Sequence, residues 1–123
     1  MARSKKVKAA EERQMTLREM LCEPFAECDA ATRLRAEKLA VEAEFMAQTL
    51  EVLKADIAEN GPVVTHINGN GFEVRQENPA QKSYNTMIKN YNAAISALAK
   101  MAEGAGGSAE SKDKLMSFIG GGR

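Results

Sequence analysis

The residues able to do chemistry in this chain are few and scattered. Its single histidine, His66, has no serine, cysteine or carboxylate at a spacing that suggests nucleophilic catalysis. Cys22 and Cys28 are separated by Glu23, Pro24, Phe25, Ala26 and Glu27, whereas zinc sites use tighter cysteine pairs and two further ligands. With one histidine that set stays incomplete, and the expected state is two free, partly buried thiols in a reducing cytoplasm. Glu37, Glu44 and Glu51 read as a solvated helix face, because a paired-carboxylate metal site needs several converging acids and histidine ligands. No Gly-x-x-x-x-Gly-Lys-Ser/Thr loop is present to hold a nucleotide. Gly69-Asn70-Gly71 superficially resembles part of a phosphate loop, but no helix starts after it, and a hairpin turn explains it better. The expectation is a protein with no catalytic residues, no metal, no cofactor and no small-molecule substrate.

Charge points elsewhere. The 17 basic and 17 acidic residues cancel overall, yet Arg3, Lys5, Lys6 and Lys8 precede the first acid. The span from Asp29 to Glu59 carries more acids than bases. A basic end followed by a mildly acidic rod fits a nucleic-acid contact at one end, and equally a solubilising tail. No apolar run is long enough to span a membrane, and the N-terminus is too polar for a secretory signal, so a cytoplasmic protein is expected.

The elements that must position these residues follow from local signals. Residues 1–10 read as a mobile basic arm. Thr16 and Glu19 form a capping-box pattern that starts a short helix at Leu17, extendable back toward Ala9, and Pro24 interrupts it. Asp29 is placed to cap a second helix running from Ala30 to about Glu59, a rod of roughly 45 Å. Asn60-Gly61-Pro62 ends that rod, with Gly61 in a left-handed conformation. An insert over 62–76 follows, with extended segments Val63 to Ile67 and Phe72 to Gln76. A turn centred on Gly69-Asn70 pairs Ile67 with Phe72 and Thr65 with Val74, and sets these four side chains on one face. Asn78-Pro79-Ala80-Gln81 opens a last long helix over 79–103, with Asn as cap and Gln81 able to bond back to it. Gly104, Gly106 and Gly107 break the chain, and Ser108 caps a short helix on which Leu115, Met116, Phe118 and Ile119 cluster. Gly120 to Arg123 form a loose tail.

The two long helices carry matching stripes. Leu39, Ala43, Met46, Leu50, Leu53 and Ile57 recur at steps of four and three, as do Tyr84, Met87, Tyr91, Ala94, Leu98 and Met101. The fold class expected is therefore all-α: a long antiparallel helical hairpin with a small β-hairpin insert, occupying residues 11–103, followed by a Gly-rich linker and short helix over 104–123. The 44% hydrophobic content includes 20 alanines, and only six aromatics supply large buried area. Such a hairpin is marginal alone, so an obligate homo-oligomer is expected. Its interface is assigned to Leu39, Met46, Leu50, Leu53, Ile57, Ile67, Phe72, Tyr84 and Tyr91.

A helix-turn-helix is not supported, because the segment from Cys22 to Ala30 is too long and lacks glycine, and the supposed recognition helix is an acidic rod. The order of a long helix ending in Asn60-Gly61, a short extended segment with Asn-Gly turns, and Asn78-Pro79 opening a helix rich in Asn, Tyr, Ile and Leu resembles the small subunit of tailed-phage terminases. The resemblance covers about residues 30–101, and Ala102 to Arg123 departs from it, lacking that family's Gly-Leu-Thr-Pro-type ending. It implies a DNA-packaging factor that forms a ring, binds double-stranded viral DNA in the host cytoplasm, and serves a large subunit carrying ATPase and nuclease. On that reading Arg3, Lys5, Lys6, Lys8, Arg75, Lys82 and Lys89 are the candidate DNA contacts. Leu115, Met116, Phe118 and Ile119 are the candidate docking site for the large subunit. The competing classes are a helical adaptor without a nucleic-acid role, and a small regulator such as an antitoxin.

Overall fold

A computed structural model describes residues 15–105 and 109–119. Arg3, Lys5, Lys6 and Lys8, the extension of the first helix toward Ala9, Ser108 and the segment Gly120 to Arg123 lie outside the described residues. The protein is mostly helical, with a small two-stranded antiparallel sheet.

Helix α1 spans Leu17–Cys22. Thr16 is its N-cap: the hydroxyl accepts from the Glu19 N–H at 3.1 Å and donates to Glu19 Oε1 at 3.1 Å. The α-helix ends at Cys22, just before Pro24, as expected. Pro24 sits in a 3-10 turn over Glu23–Phe25, near the start of a helical segment, where a missing N–H costs little.

Helix α2 spans Ala30–Asn60, about 46 Å. Asp29 holds the N-cap position with an extended backbone, but no cap hydrogen bond closes. Its carboxyl is nonetheless held below the ordinary carboxylate range, chiefly by the Thr32 hydroxyl and then by nearby backbone N–H groups. The helix stops at Gly61, whose N–H reaches the Ile57 carbonyl at 2.8 Å. Gly61 has a φ of 81° with a ψ of 167°. The positive φ expected there is present, but the backbone is extended rather than left-handed helical, a region open essentially to glycine alone.

Strands β1 (Val63–Ile67) and β2 (Glu73–Glu77) pair antiparallel, with Thr65 opposite Arg75, His66 opposite Val74 and Ile67 opposite Glu73. This corrects the expected register by one residue. The cause is the turn: Asn68 Oδ1 accepts from the N–H groups of Asn70 and Phe72 at 2.9 and 3.0 Å. The Gly71 N–H bonds the Asn68 carbonyl at 3.0 Å, and Gly71 takes a φ of 81°. That is a tight turn followed by a glycine bulge, which inserts one residue relative to a two-residue turn. A one-residue shift moves side chains to the other face. Val64, opposite Gln76, and Val74, opposite His66, are each half-buried, while Ile67 and Phe72 are 72% and 69% exposed.

Helix α3 spans Pro79–Gly104, with Asn78 as N-cap accepting from the Ala80 N–H at 2.9 Å. Gln81 does not turn its side chain back to the cap but donates to Asn85 at 3.0 Å. Helix α4 spans Ala109–Met116.

Helices α2 and α3 make the most extensive contact, α1 packs on α2, and α4 packs on α3. The core joins Leu21, Phe25, Ala36, Ala40, Ala43, Leu50, Tyr91, Ala94, Ile95, Leu98, Ala99, Ala102 and Leu115. It is concentrated where the first half of α2 meets the second half of α3, with α1 and α4 closing it. Six of these thirteen are alanines, so the helices approach closely where the stripes are small. The alanine content therefore counts toward the core rather than against it.

Candidate assembly and nucleic-acid surfaces

Among the described residues no group of three or more His, Cys, Asp or Glu is placed to hold a metal ion. His66 is exposed on β1, opposite Val74. Cys22 and Cys28 are free and half-buried. The Cys22 thiol lines a groove with Met15, Glu19, Phe25, Arg33 and Glu37. Burial, and then the Glu37 carboxylate, push its pKa up, with Arg18 opposing, so it is a poor thiolate at neutral pH. Glu37 and Glu51 are exposed as expected of a solvated face. Glu44 is half-buried and accepts from the Arg18 N–H at 3.1 Å, which places a carboxylate at the start of α1 where free N–H groups favour it.

The residues assigned to an oligomer interface divide. Leu50 and Tyr91 are buried inside the chain, and Leu39, Met46 and Tyr84 pack against the same core. Leu53 and Ile57 are half-buried toward the sheet end of α2. Ile67 and Phe72 are bare, on the hairpin. Most of the inner stripe is thus spent on intrachain packing.

A second apolar face was not anticipated. Leu34, Val41, Phe45 and Val52 lie on α2 at steps of seven, four and seven, and each is between 43% and 69% exposed. At about 100° per residue all four fall within roughly 20° of one line, opposite the buried Ala36, Ala43 and Leu50. Helix α2 is therefore apolar on two opposed sides. The spacing is present in the sequence, but it runs parallel to the larger inner stripe, which dominates a single-face pattern.

The cations also separate. Arg75 is exposed on β2, but Glu73 and Glu77 share its side of the strand and offset its attraction for phosphate. Lys82, Lys89 and Lys100 are exposed along one line of α3, and no acid occurs between Pro79 and Ala102. The line faces away from buried Tyr91 and Leu98. Lys82, Ser83, Thr86, Met87 and Asn90 line a shallow groove beside it.

The C-terminal cluster turns inward. Leu115 is buried in the core, and Phe118 and Ile119 pack against it, leaving Met116 as the exposed member. Lys114 meets Glu23 at 3.6 Å and Lys112 meets Glu103 at 3.2 Å, both at the surface, where such pairs hold little energy. No helix among the described residues is long and apolar enough to cross a membrane. Compared with known protein families, curated proteins and solved structures, the chain matches none.

Proposed function

We propose that this chain is a non-enzymatic DNA-packaging factor of the terminase small-subunit type. Its helices α2 and α3 act as one antiparallel helical hairpin that self-assembles into a ring. The ring binds double-stranded viral DNA in the host cytoplasm and regulates a large ATPase and nuclease subunit. The observation that carries the reading is the bare line Leu34, Val41, Phe45 and Val52. Four large apolar side chains on one exposed helix face form a surface suited to being covered. The resemblance over residues 30–101 supports packaging as the purpose of the assembly.

Phosphate contacts are assigned first to Arg3, Lys5, Lys6 and Lys8, which an assembly repeats once per copy, so that weak contacts add in avidity. Arg75 contributes less, for the reason of its two glutamate neighbours. Met116, with the edges of Phe118 and Ile119, is the surface offered to the large subunit. A second reading, a helical adaptor with no nucleic-acid role, is favoured by the zero net charge and by the acidic α2.

Mass measured by light scattering, with and without duplex DNA, separates the two. A discrete assembly larger than a dimer whose mass rises with DNA is expected. An assembly of any size that ignores DNA at low salt overturns the packaging reading in favour of the adaptor.

A further inference from the structure

The outer faces of α2 and α3 differ in more than hydropathy. From Val41 to Glu59, α2 holds five acids (Glu42, Glu44, Glu51, Asp56 and Glu59) and one base, Lys54. Lys54 lies 3.7 Å from Glu51 on its own helix and, at about 100° per residue, on the side away from the Val41, Phe45 and Val52 line. At about 100° per residue, the exposed Glu42 and Asp56 border the Val41, Phe45 and Val52 line on one side. The outer face of α3 is the reverse, with three lysines, no acid, and the small residues Thr86 and Ala93 between them.

We infer that the outer face of α2 docks on the outer face of α3 of a second copy, head to tail. Like-with-like pairing of two α2 faces sets one acid-bordered seam against another, with Glu42 and Asp56 on both, and like charges across a coiled-coil seam are repulsive. Pairing α2 with α3 sets carboxylates beside ammonium groups and lets Phe45 or Val52 enter the groove walled by Lys82, Met87 and Asn90. The heights agree as well. The Asn78 side-chain amide bonds Asp56 at 3.0 Å, so the first turn of α3 is level with the last turns of α2. In a cyclic assembly with its axis along the helices, every copy keeps that level, and Lys82 and Lys89 stand beside the acidic part of the neighbouring α2. Because the two faces are different and lie on opposite sides of the helix pair, each copy has one of each to offer. A contact of that kind propagates until it closes into a ring. This use of Lys82 and Lys89 takes them away from DNA and leaves the phosphates to the N-terminal cations.

The inference rests on the assembly half of the reading above and is tested without DNA, so its failure leaves DNA binding undecided by the same experiment. Phe45→Glu spoils only the α2 face, and Lys82→Glu with Lys89→Glu spoils only the α3 face. All three positions are exposed, and circular dichroism should report wild-type helicity. By light scattering, each variant alone should fall from the assembled mass to that of one chain. Mixed in equal amounts, they should recover a species of two chains and nothing larger, because only one intact contact remains. A lysine variant that keeps the wild-type mass overturns the inference, as does a mixture that stays monomeric. A variant-free check is carbodiimide cross-linking of mixed isotope-labelled and unlabelled wild-type chains. Links between copies should join Lys82 or Lys89 to acids between Glu42 and Glu59, and links absent from that set overturn the inference equally.

Discussion

Asn78 donates from Nδ2 to Asp56 Oδ1 at 3.0 Å, joining the residue that caps α3 to the last turns of α2. The same amide donates to the Gly61 carbonyl at 2.9 Å, and Oδ1 accepts from the Ala80 N–H at 2.9 Å. Asn78 is the buried polar residue among those described, and one side chain thus closes a helix end, a helix exit and the contact between them. Asn78→Ala should destabilise the fold by about 1–3 kcal/mol in urea titration, the range typical of a lost cap that also leaves a carbonyl unpaired. Asn78→Ser should restore the cap alone and recover part of the loss. A neutral alanine variant would mean that water replaces all three bonds.

The same pair makes a pH prediction. The bond from Asn78, and then that from Asn60, hold the Asp56 carboxyl below the ordinary carboxylate range. A folded pKa below the unfolded one adds stability above the unfolded value, and this is lost as pH falls through the folded value. The difference between wild type and Asn78→Ala should therefore shrink when urea titrations are moved from neutral pH to below about pH 3. An unchanged difference would show that the Asp56 charge has no part in it.

The hairpin separates its two glycines. Gly71 has a φ of 81° in open surroundings, so an added side chain meets backbone strain and no clash. Gly69 is equally open and does not have a positive φ. Gly71→Val should cost about 1–2 kcal/mol, confined to the turn, while Gly69→Val is close to neutral. Amide exchange at Asn68 and Phe72 reads this directly, and equal protection in both variants would refute the bulge.

Helix ends were legible in this chain because single residues decide them: Thr16, Gly61, Asn78 and Pro79 each act through their own backbone or side-chain atoms. The register of β1 and β2 was not, because Asn68 intervenes. Asn68-Gly69 and Asn70-Gly71 offer alternative turns in succession, and the choice is made by where the Asn68 carboxamide finds N–H partners. The outer face of α2 was obscured for a different reason. Apolar residues on two opposed sides cancel as an asymmetry, so Leu34, Val41, Phe45 and Val52 add nothing to a one-stripe pattern. The apolar cluster around Leu115 is legible in the sequence, but sequence alone does not say whether such a cluster faces a partner or its own core.

Cys22 should be a slow thiol. Burial and the Glu37 carboxylate both disfavour its thiolate, and only the thiolate attacks a disulfide reagent. In a Cys28→Ser background, which leaves one thiol, reaction with an aromatic disulfide near pH 8 should be slower than that of free cysteine. Glu37→Gln removes one of the two causes and should speed it, shifting the pH–rate curve to lower pH. No shift would assign the whole effect to burial.

The N-terminal cations give the sharpest test of DNA as the ligand. Arg3, Lys5, Lys6 and Lys8 fall within six residues with no acid among them, a density matched nowhere else in the chain. Contacts from such a run meet phosphates without holding base-edge geometry, so they should strengthen binding to all duplexes alike. Each neutralised phosphate adds about 0.9 to the slope of log affinity against log salt. Deleting residues 2–8 should therefore weaken binding to unrelated duplexes equally and flatten the salt slope by about one unit per phosphate released. Assembly should persist in the deletion, because the apolar face of α2 and the lysine face of α3 are untouched. Fluorescence anisotropy over a salt series, run beside light scattering on the same samples, measures both. A deletion that binds with wild-type affinity and slope would move the contact to structured cations, and Arg75→Gln would then have to show the loss. If neither change alters binding while assembly is intact, the assignment of phosphates to Arg3, Lys5, Lys6, Lys8 and Arg75 fails, whereas an intact assembly that binds no duplex at low salt leaves the adaptor reading.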